Sequence, residues 1–246
     1  MNDKVYIHEI VDILGHNRAR YMHHMTANWS PIGQAERHQL CYGVWGVVGS
    51  TGPWPAVVNI WEEDGFEGLA RSFGHELGHP GLQDPQLARW WAEAASYRRG
   101  GVDRILVPAP WTRTIEELCA DGVRGEVYAQ EHVLMPAGSA RQFLEHVRDT
   151  GAPLYEHHGW TLVGAWETAM RDESECFVLW AIPSWEQWAE LERADRAETP
   201  LRRWRRATIE RTTSMERVLL VDAPLSPMRT GRQPQPADRA DGWQDP

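Results

Sequence analysis

The pattern of apolar and polar residues predicts short strands separated by longer helical stretches. Apolar runs with the length of strands occur in "VYIHEI" at 5–10 and "YGVWGVV" at 42–48. Between them, over about 16–37, apolar residues recur at three- and four-residue steps, as on one face of a helix. That face consists of Tyr21, Met22, Met25, Trp29 and Ile32.

The same order of elements occurs twice along the chain. Tyr6 recurs as Tyr128, and Trp61 recurs as Trp180. The matched segments, in chain order, are "VYIHEI" with "VYAQEH" at 127–132, "YGVWGVV" with "LVGAWET" at 162–168, "VVNIW" at 57–61 with "CFVLW" at 176–180, and "DRILVPAPW" at 103–111 with "ERVLLVDAPL" at 216–225. Four matches in the same order indicate an internal duplication.

Each copy has the element order β-α-β-β-α-β, which predicts a ferredoxin-like unit. Such a unit has a four-stranded antiparallel sheet with both helices on one face. We therefore predict an α+β fold in which two tandem ferredoxin-like βαββαβ units place their open sheet faces together and close a pseudo-symmetric barrel. The expected boundaries are a first unit at 1–113, a linker at 114–123, a second unit at 124–228 and a disordered tail at 229–246, which is polar and rich in Pro and Arg.

These segments resemble the NIPSNAP-like branch of the dimeric α/β barrel superfamily, in tandem form. The resemblance is carried by the two first strands, by "YEHHGWTLVGAW" and "CFVLWAIPSWEQW", and by "DPQLARWWAEA" leading to "RILVPAP". It implies the dimeric α/β barrel fold and a range of activities. That superfamily includes cofactor-free monooxygenases, isomerases, cyclases, dehydratases, haem enzymes and members without known activity. It supplies no catalytic motif that can be carried over to this chain.

Composition narrows the classes of partner. The net charge is -10, which argues against nucleic acid and anionic membrane surfaces. Three widely spaced cysteines suit a reducing compartment, and no apolar run reaches the length of a membrane span. We expect a cytoplasmic protein that binds a small apolar or aromatic molecule, since 14 tryptophans exceed the needs of a small core. A homodimer is an open alternative.

Polar residues in the predicted strands single out the first unit. Both faces of each sheet should be covered, so a polar strand residue must be hydrogen-bonded or functional. Asn59 and Glu62 stand where the second unit has Val178 and Ala181. We interpret this asymmetry as a sign that one copy keeps the chemistry.

The first strand adds an imidazole and a carboxylate. His8 replaces Gln130, whereas Glu9 recurs as Glu131, so Glu9 also has a structural interpretation. We predict an active site between the first sheet and its long helix, with His8 as the proton-transfer group. In this hypothesis the catalytic residues are His8, Glu9, Asn59 and Glu62, and the substrate-binding residues are Tyr6, Tyr21, His24, Met25, Trp29, Trp45 and Trp61.

The predicted reaction is acid–base chemistry on an apolar or aromatic metabolite, of the isomerase, lyase, cyclase or cofactor-free monooxygenase type. No glycine-rich phosphate loop follows a strand, so we expect no organic cofactor. Haem stays open, because one axial histidine needs no motif. Two alternatives remain: a second-unit pocket using Tyr155 and His157, and a ligand-binding or interaction protein in which the polar residues bond one another.

One segment, "GHELGHP" at 74–80, matches the HExxH pattern of zinc peptidases. Those enzymes need both histidines on one continuous helix and a further ligand downstream. Here Pro80 follows His79 directly, and no downstream His or Glu has the expected spacing. We expect no metal site and interpret the segment as a solvated helix end. A zinc-dependent hydrolase using His75, Glu76 and His79 is a remote alternative. A looser role, with His75 or His79 on a lid over the first unit's pocket, is a separate alternative.

Overall fold

The structure is a computed structural model and describes residues 2–239. The strands of the first unit are β1 (Val5–Ile13), β2 (Leu40–Val47), β3 (Ala56–Glu63) and β4 (Arg98–Pro108). Its helices are α1 (Arg18–His23), a π-helical segment (His24–Trp29), α2 (Ser30–Arg37), α3 (Gly65–Leu77) and α4 (Ala88–Tyr97), the last preceded by a 3-10 turn (Pro85–Leu87).

A short helix, α5 (Ile115–Ala120), joins the two units. The second unit repeats the strands as β5 (Val127–Leu134), β6 (Thr161–Thr168), β7 (Glu175–Ile182) and β8 (Ser214–Asp222). Its helices are α6 (Ala140–His146), a π-helical segment (Val147–Gly151), α7 (Ala152–Glu156), α8 (Trp185–Ala194) and α9 (Pro200–Ile209), and α10 (Pro227–Thr230) follows β8.

The eight strands form one closed antiparallel barrel in the order β1-β3-β2-β8-β5-β7-β6-β4. Each unit contributes the ferredoxin-like order, β4-β1-β3-β2 in the first and β8-β5-β7-β6 in the second. The units meet where β2 pairs with β8 and β4 with β6. Each of these two seams is three residue pairs long, and through them the sheet closes on itself. The predicted α+β fold of two tandem ferredoxin-like units is confirmed.

The long first helix of each unit lies against the outer face of its sheet. In the first unit the predicted apolar face is buried, from Tyr21 at 0% exposed to Met22 at 7%. Both long helices contain a π-helical segment at the same point of the repeat. This shared irregularity belongs to the duplicated unit rather than to one copy's chemistry.

The barrel interior is a separate core from the two sheet–helix cores. Its side chains come from alternate strand positions of both units and include Tyr6, Trp45, Tyr128, Trp166 and Phe177. Two glycines make room for its tryptophans: a Cβ at Gly43 would lie 2.1 Å from the Trp45 ring, and one at Gly164 would lie 2.4 Å from the Trp166 ring. The repeat therefore preserves a glycine two residues before each interior tryptophan.

The predicted linker contains a helix, and side chains of the C-terminal segment contact the first unit. Helix α5 begins at a capping box in which the side chains of Thr114 and Glu117 bond each other's backbone N–H groups. After α10, the Gln233 side chain bonds both the N–H and the carbonyl of Cys41, at 2.9 and 2.8 Å. Within 229–239, which we predicted as part of a disordered tail, the Gln233 side chain thus pairs with backbone groups of the first unit. The rest of the predicted tail, 240–246, lies outside the described residues.

A search of the described residues finds no helix with the length and hydropathy needed to cross a membrane.

Candidate active site

A pocket of about 360 Å³ opens between the helix-facing side of the first sheet and α2, α3 and α4. This volume lies in the range of small-molecule sites. Its apolar wall consists of Met25, Trp29, Trp61, Phe73, Trp90 and Trp91. Its polar groups include Glu9, Arg37, Arg98, Asp103 and Arg104. We call this cavity the first-unit pocket.

Glu9 lies on β1 and faces this pocket. The Asn59 amide donates to Glu9 Oε2 at 2.7 Å, and the Trp61 indole donates to the same oxygen at 2.9 Å. Within residues 2–239, the hydrogen bonds to Glu9 all end on Oε2, and the residue is only half-buried. Oε1 is therefore the oxygen that a bound ligand can reach.

Asp103 stands beside Glu9 on the neighbouring strand. The β1–β4 register pairs the two residues directly, and both line the pocket. Partial desolvation in the pocket raises the pKa of both carboxyl groups, although Asp103 keeps an exposed edge, and the charge of Asp103 raises the pKa of Glu9 further, whereas Arg98 opposes the shift in each. Two adjacent carboxyls with raised pKa values hold a proton more readily than isolated surface carboxylates. Such a pair is suited to accepting and returning a proton.

At the equivalent position of the second unit, the glutamate forms a buried ion pair with an arginine. Glu131 pairs in the same register with Arg217, whose Nε donates to Glu131 Oε1 at 3.0 Å. Trp180 donates to the other oxygen at 3.2 Å, and Tyr155 donates to Oε1 at 3.3 Å. Glu131 is fully buried and both of its oxygens are bonded. The duplicated carboxylate is thus neutralised in one unit and left beside a second acid in the other.

The alternative site in the second unit is not formed. Tyr155 is buried and stacks on Trp180 at 4.3 Å between ring centroids, whereas His157 is exposed at the end of α7. The two side chains therefore lie in different surroundings and do not converge on a common cavity.

His8 lies in the barrel interior, on the opposite side of the sheet from Glu9. Its Nε2 donates to Gln130 Oε1 at 3.0 Å, and its ring lies 4.5 Å from Phe177. Burial lowers the pKa of His8 to about 4, so the imidazole is neutral at physiological pH. The prediction that His8 lies between the sheet and the long helix is wrong, because side chains alternate between the two faces of a strand.

Glu62, Tyr6 and Trp45 also lie on the barrel side. The Tyr6 hydroxyl donates to Glu62 Oε2 at 3.0 Å, and the backbone N–H of Ile115 donates to the same oxygen at 2.9 Å. Trp45 packs against Tyr128 at 5.8 Å. Glu62 therefore anchors α5 to the first unit and takes no part in the first-unit pocket.

A pH-dependent contribution to stability should come from Glu62. Burial raises its pKa to about 6 from a usual value of 4.5. The folded state then binds a proton that the unfolded state has lost, so this contribution is present below pH 4.5 and disappears as the pH rises to about 6. It amounts to about 2 kcal/mol. Urea unfolding of the wild type and Glu62→Gln from pH 4 to 7 should show the wild type losing stability relative to the variant as pH rises. An unchanged difference would contradict the assignment.

The remaining predicted residues divide between the pocket and the layer behind it. Met25, Trp29 and Trp61 line the pocket, whereas Asn59 and Tyr21 do not. The Asn59 amide donates to Glu9 and to the Tyr21 hydroxyl, at 2.7 and 3.0 Å, so the predicted bond from Asn59 to a substrate oxygen is already replaced by internal bonds. These residues position Glu9 rather than touch a ligand.

His24 supports the tryptophan wall. Its ring stacks on Trp90 with centroids 5.0 Å apart, and its Nε2 lies 3.2 Å from the Trp90 carbonyl oxygen. The Asn28 amide lies 3.1 Å from its other ring nitrogen. His24 is buried and holds Trp90 in place behind the pocket surface.

Sequence reasoning missed Asp103, Arg98, Phe73 and the Trp90–Trp91 pair. The alignment of "DRILVPAPW" with "ERVLLVDAPL" matched Arg104 to Arg217, but the strand registers match Asp103 to Arg217. A shift of one residue reverses the faces of a strand, so that alignment did not identify Asp103 as the counterpart of Arg217. Aligning the two Ala-Pro pairs at the strand ends gives the correct register, and that signal was present in the sequence.

The HExxH segment does not form a peptidase centre. Helix α3 ends at Leu77, before the second histidine. Glu76 forms a buried ion pair with Arg37, whereas His75 Nε2 lies 2.9 Å from Asp84 Oδ2. The glutamate and the first histidine therefore have different partners, and Glu76 is not placed to activate a water on an ion held by the histidines.

No protein-family model matches the chain, and no curated protein matches it. Solved structures do match. An anthrone oxidase-like protein is 8% identical, with a TM-score of 0.61, over 90% of this chain and 92% of its own. A proposed monooxygenase from Lactobacillus acidophilus NCFM is 8% identical, with a TM-score of 0.57, over 96% of this chain and 97% of its own.

The matches also include an uncharacterized NIPSNAP-like domain protein from Burkholderia xenovorans, 17% identical over 46% of this chain and 92% of its own, with a TM-score of 0.35. At such identities a likeness establishes the fold alone, and the full-length matches carry that conclusion. The predicted resemblance is thus confirmed at the level of fold: the chain is a dimeric α/β barrel built from two ferredoxin-like units in a single polypeptide.

Proposed function

We propose that the chain is a small-molecule enzyme whose active site is the first-unit pocket. Glu9, paired with Asp103, takes a proton from the substrate through its free Oε1 and later returns it. This step needs no organic cofactor. Removal of a proton is the first step of isomerase, lyase, cyclase and cofactor-independent oxygenase reactions alike. We therefore propose the chemistry of the first step and not the final product.

One observation carries this proposal: Asp103 occupies the position at which the second unit has Arg217. A carboxylate that is partly withdrawn from water, as the half-buried Glu9 is, is stabilised by an opposite charge and destabilised by a like charge. A second acid beside Glu9 therefore costs stability that the other copy avoids. Where such a carboxyl pair is open to a pocket, the repulsion between the two groups favours uptake of a proton and so supports proton transfer.

The pocket walls favour a flat aromatic substrate. Trp29 and Trp90 lie 4.7 Å apart, Trp90 and Trp91 lie 4.9 Å apart, and all three line the cavity. Arg98 lies 5.3 Å from the Trp91 ring on the pocket wall, close enough to Glu9 and Asp103 to lower their pKa values. In this proposal the Arg98 guanidinium stabilises the oxyanion that forms when the substrate loses its proton. The structural likeness to an anthrone oxidase-like protein is consistent with an aromatic ketone or phenol as the substrate.

A binding protein without catalysis is the second candidate. It is favoured by the two hydrogen bonds from Asn59 and Trp61, which hold Glu9 as Trp180 and Tyr155 hold Glu131. In that case the pocket would take the same aromatic ligand, but no bond of the ligand would change.

Hydrogen–deuterium exchange separates the two candidates without knowledge of the final product. Anthrone, which has an acidic C–H next to an aromatic carbonyl, is incubated with the protein in D₂O together with a panel of phenols, and loss of the C–H signal is followed by proton NMR. The enzyme proposal predicts faster exchange than in buffer alone for at least one compound that also quenches the tryptophan fluorescence. Binding with no acceleration for any compound that binds would support the non-catalytic candidate.

A further inference from the structure

A cluster of metal-ligating side chains lies outside the first-unit pocket, around the end of α3. Its members are Glu36 on α2, His75 in the last turn of α3, and Asp84 just before the turn that leads into α4. One potential ligand atom from each lies within 4.8 Å of the others. His79 adds a second imidazole, with its Nε2 3.9 Å from Asp84 Oδ1.

We propose that Glu36, His75 and Asp84, with His79 as a fourth ligand, bind a divalent transition-metal ion of the zinc class. Two imidazoles and two carboxylates are a donor set that zinc accepts in four-coordinate sites. In such a site the bonds are about 2.0–2.2 Å, so neighbouring donor atoms lie roughly 3.3–3.5 Å apart. The side chains of His75 and His79 are 43% and 38% exposed, which leaves them room for the small movement this requires.

Asp84 is the proposed ligand whose carboxylate is already held in a fixed orientation. It is 3% exposed, and its Oδ1 accepts the backbone N–H of Gln86 at 2.9 Å, which fixes the orientation of the carboxylate. His75 Nε2 already lies 2.9 Å from Asp84 Oδ2. An ion between these two atoms would replace their direct contact.

The position of the ion gives it a mechanical role. It would join α2, the end of α3 and the segment before α4, the same helices that form the mouth of the first-unit pocket. The next residues on α2 and α3, Arg37 and Glu76, form the buried ion pair that lines the pocket. Metal binding is therefore expected to hold α2 and α3 at a fixed spacing. The ligands beside the two histidines are Asp84 and Glu36, whereas Glu76, at the general-base position of the HExxH pattern, is paired with Arg37. The ion therefore acts as a structural link and not as a hydrolytic centre.

The test measures zinc directly and does not depend on any enzymatic activity. The full chain, free of an affinity tag and treated with chelator, is titrated with zinc by calorimetry, and its thermal unfolding is followed with and without zinc. The variants are His75→Ala, which keeps a helix-forming residue, and Asp84→Asn, which keeps the N-cap but lowers the ligand charge. The control is His16→Ala, which removes an exposed histidine away from the cluster.

The proposal predicts one equivalent of bound zinc, a raised Tm in its presence, and an affinity at least tenfold lower in His75→Ala and in Asp84→Asn. His16→Ala should bind like the wild type. Circular dichroism and metal-free urea unfolding establish that each variant is folded. The proposal is overturned if the wild type binds no zinc near one equivalent, or if both cluster variants bind zinc as tightly as the wild type, since the ion would then lie elsewhere.

Discussion

Glu9→Gln is expected to lower the rate of proton transfer to or from a pocket ligand by about 10²–10⁴-fold, the contribution usual for a general acid–base group. Glutamine keeps the size of the side chain and still accepts the bonds that Asn59 and Trp61 donate to Oε2. It cannot take up a proton near neutral pH. The measurement is the exchange rate of a bound C–H in D₂O, compared with that of the wild type at equal ligand saturation.

The matched control is His8→Gln. His8 donates to Gln130 inside the barrel, and the amide of a glutamine can donate the same bond. The exchange rate of His8→Gln should stay within about twofold of the wild type, since the imidazole lies on the other face of the sheet. Loss of exchange in a folded His8→Gln protein, together with retention in Glu9→Gln, would return the chemistry to the barrel interior and contradict the proposed site.

Arg217→Met is expected to destabilise the fold by about 3–5 kcal/mol, because it leaves Glu131 buried without its counter-charge. Arg217 donates to Glu131, and the side chains of the pair are 11% and 1% exposed. Methionine preserves most of the apolar volume, so the loss reports the charge rather than a cavity. The free energy of unfolding in urea at pH 7 is the measurement.

Asp103→Asn is the paired control in the first unit. It removes a like charge next to Glu9 instead of an opposite one, so it should leave stability unchanged or raise it. The double variant Glu131→Gln with Arg217→Met should be less destabilised than Arg217→Met alone, since no buried charge is left unpaired. If Arg217→Met and Asp103→Asn lowered the free energy of unfolding equally, the two units would not differ in the way proposed here.

The fold was predictable because the duplication repeats the same local signals. Each strand is a short apolar run, and each long helix has an apolar face, so four matched segments gave the element order of both units. The helix face from Tyr21 to Ile32 follows from spacing alone and is buried. Order in 229–239 was not predictable, since it depends on single side chains such as Gln233 that bond distant backbone groups.

The candidate site was predictable only in part. Comparing the two copies identified Asn59, whose bonds hold Glu9 at the pocket. Alternation along β1 separates His8 from Glu9, so the sequence already contained the reason why they cannot share a site. Asp103 depended on the register of β4, where an alignment error of one residue changes the face. Trp90 and Trp91 reach the pocket through the packing of α4 on the sheet, which spacing within that helix does not reveal.

The most direct test of the central claim is a crystal structure of the wild-type protein with a phenolic or anthrone-type ligand that quenches its fluorescence. We expect the ring of the ligand against Trp61, Trp90 or Trp91, with a polar or acidic atom within hydrogen-bond distance of Glu9 Oε1. A ligand bound inside the barrel beside His8, or in the second unit beside Tyr155, would contradict it.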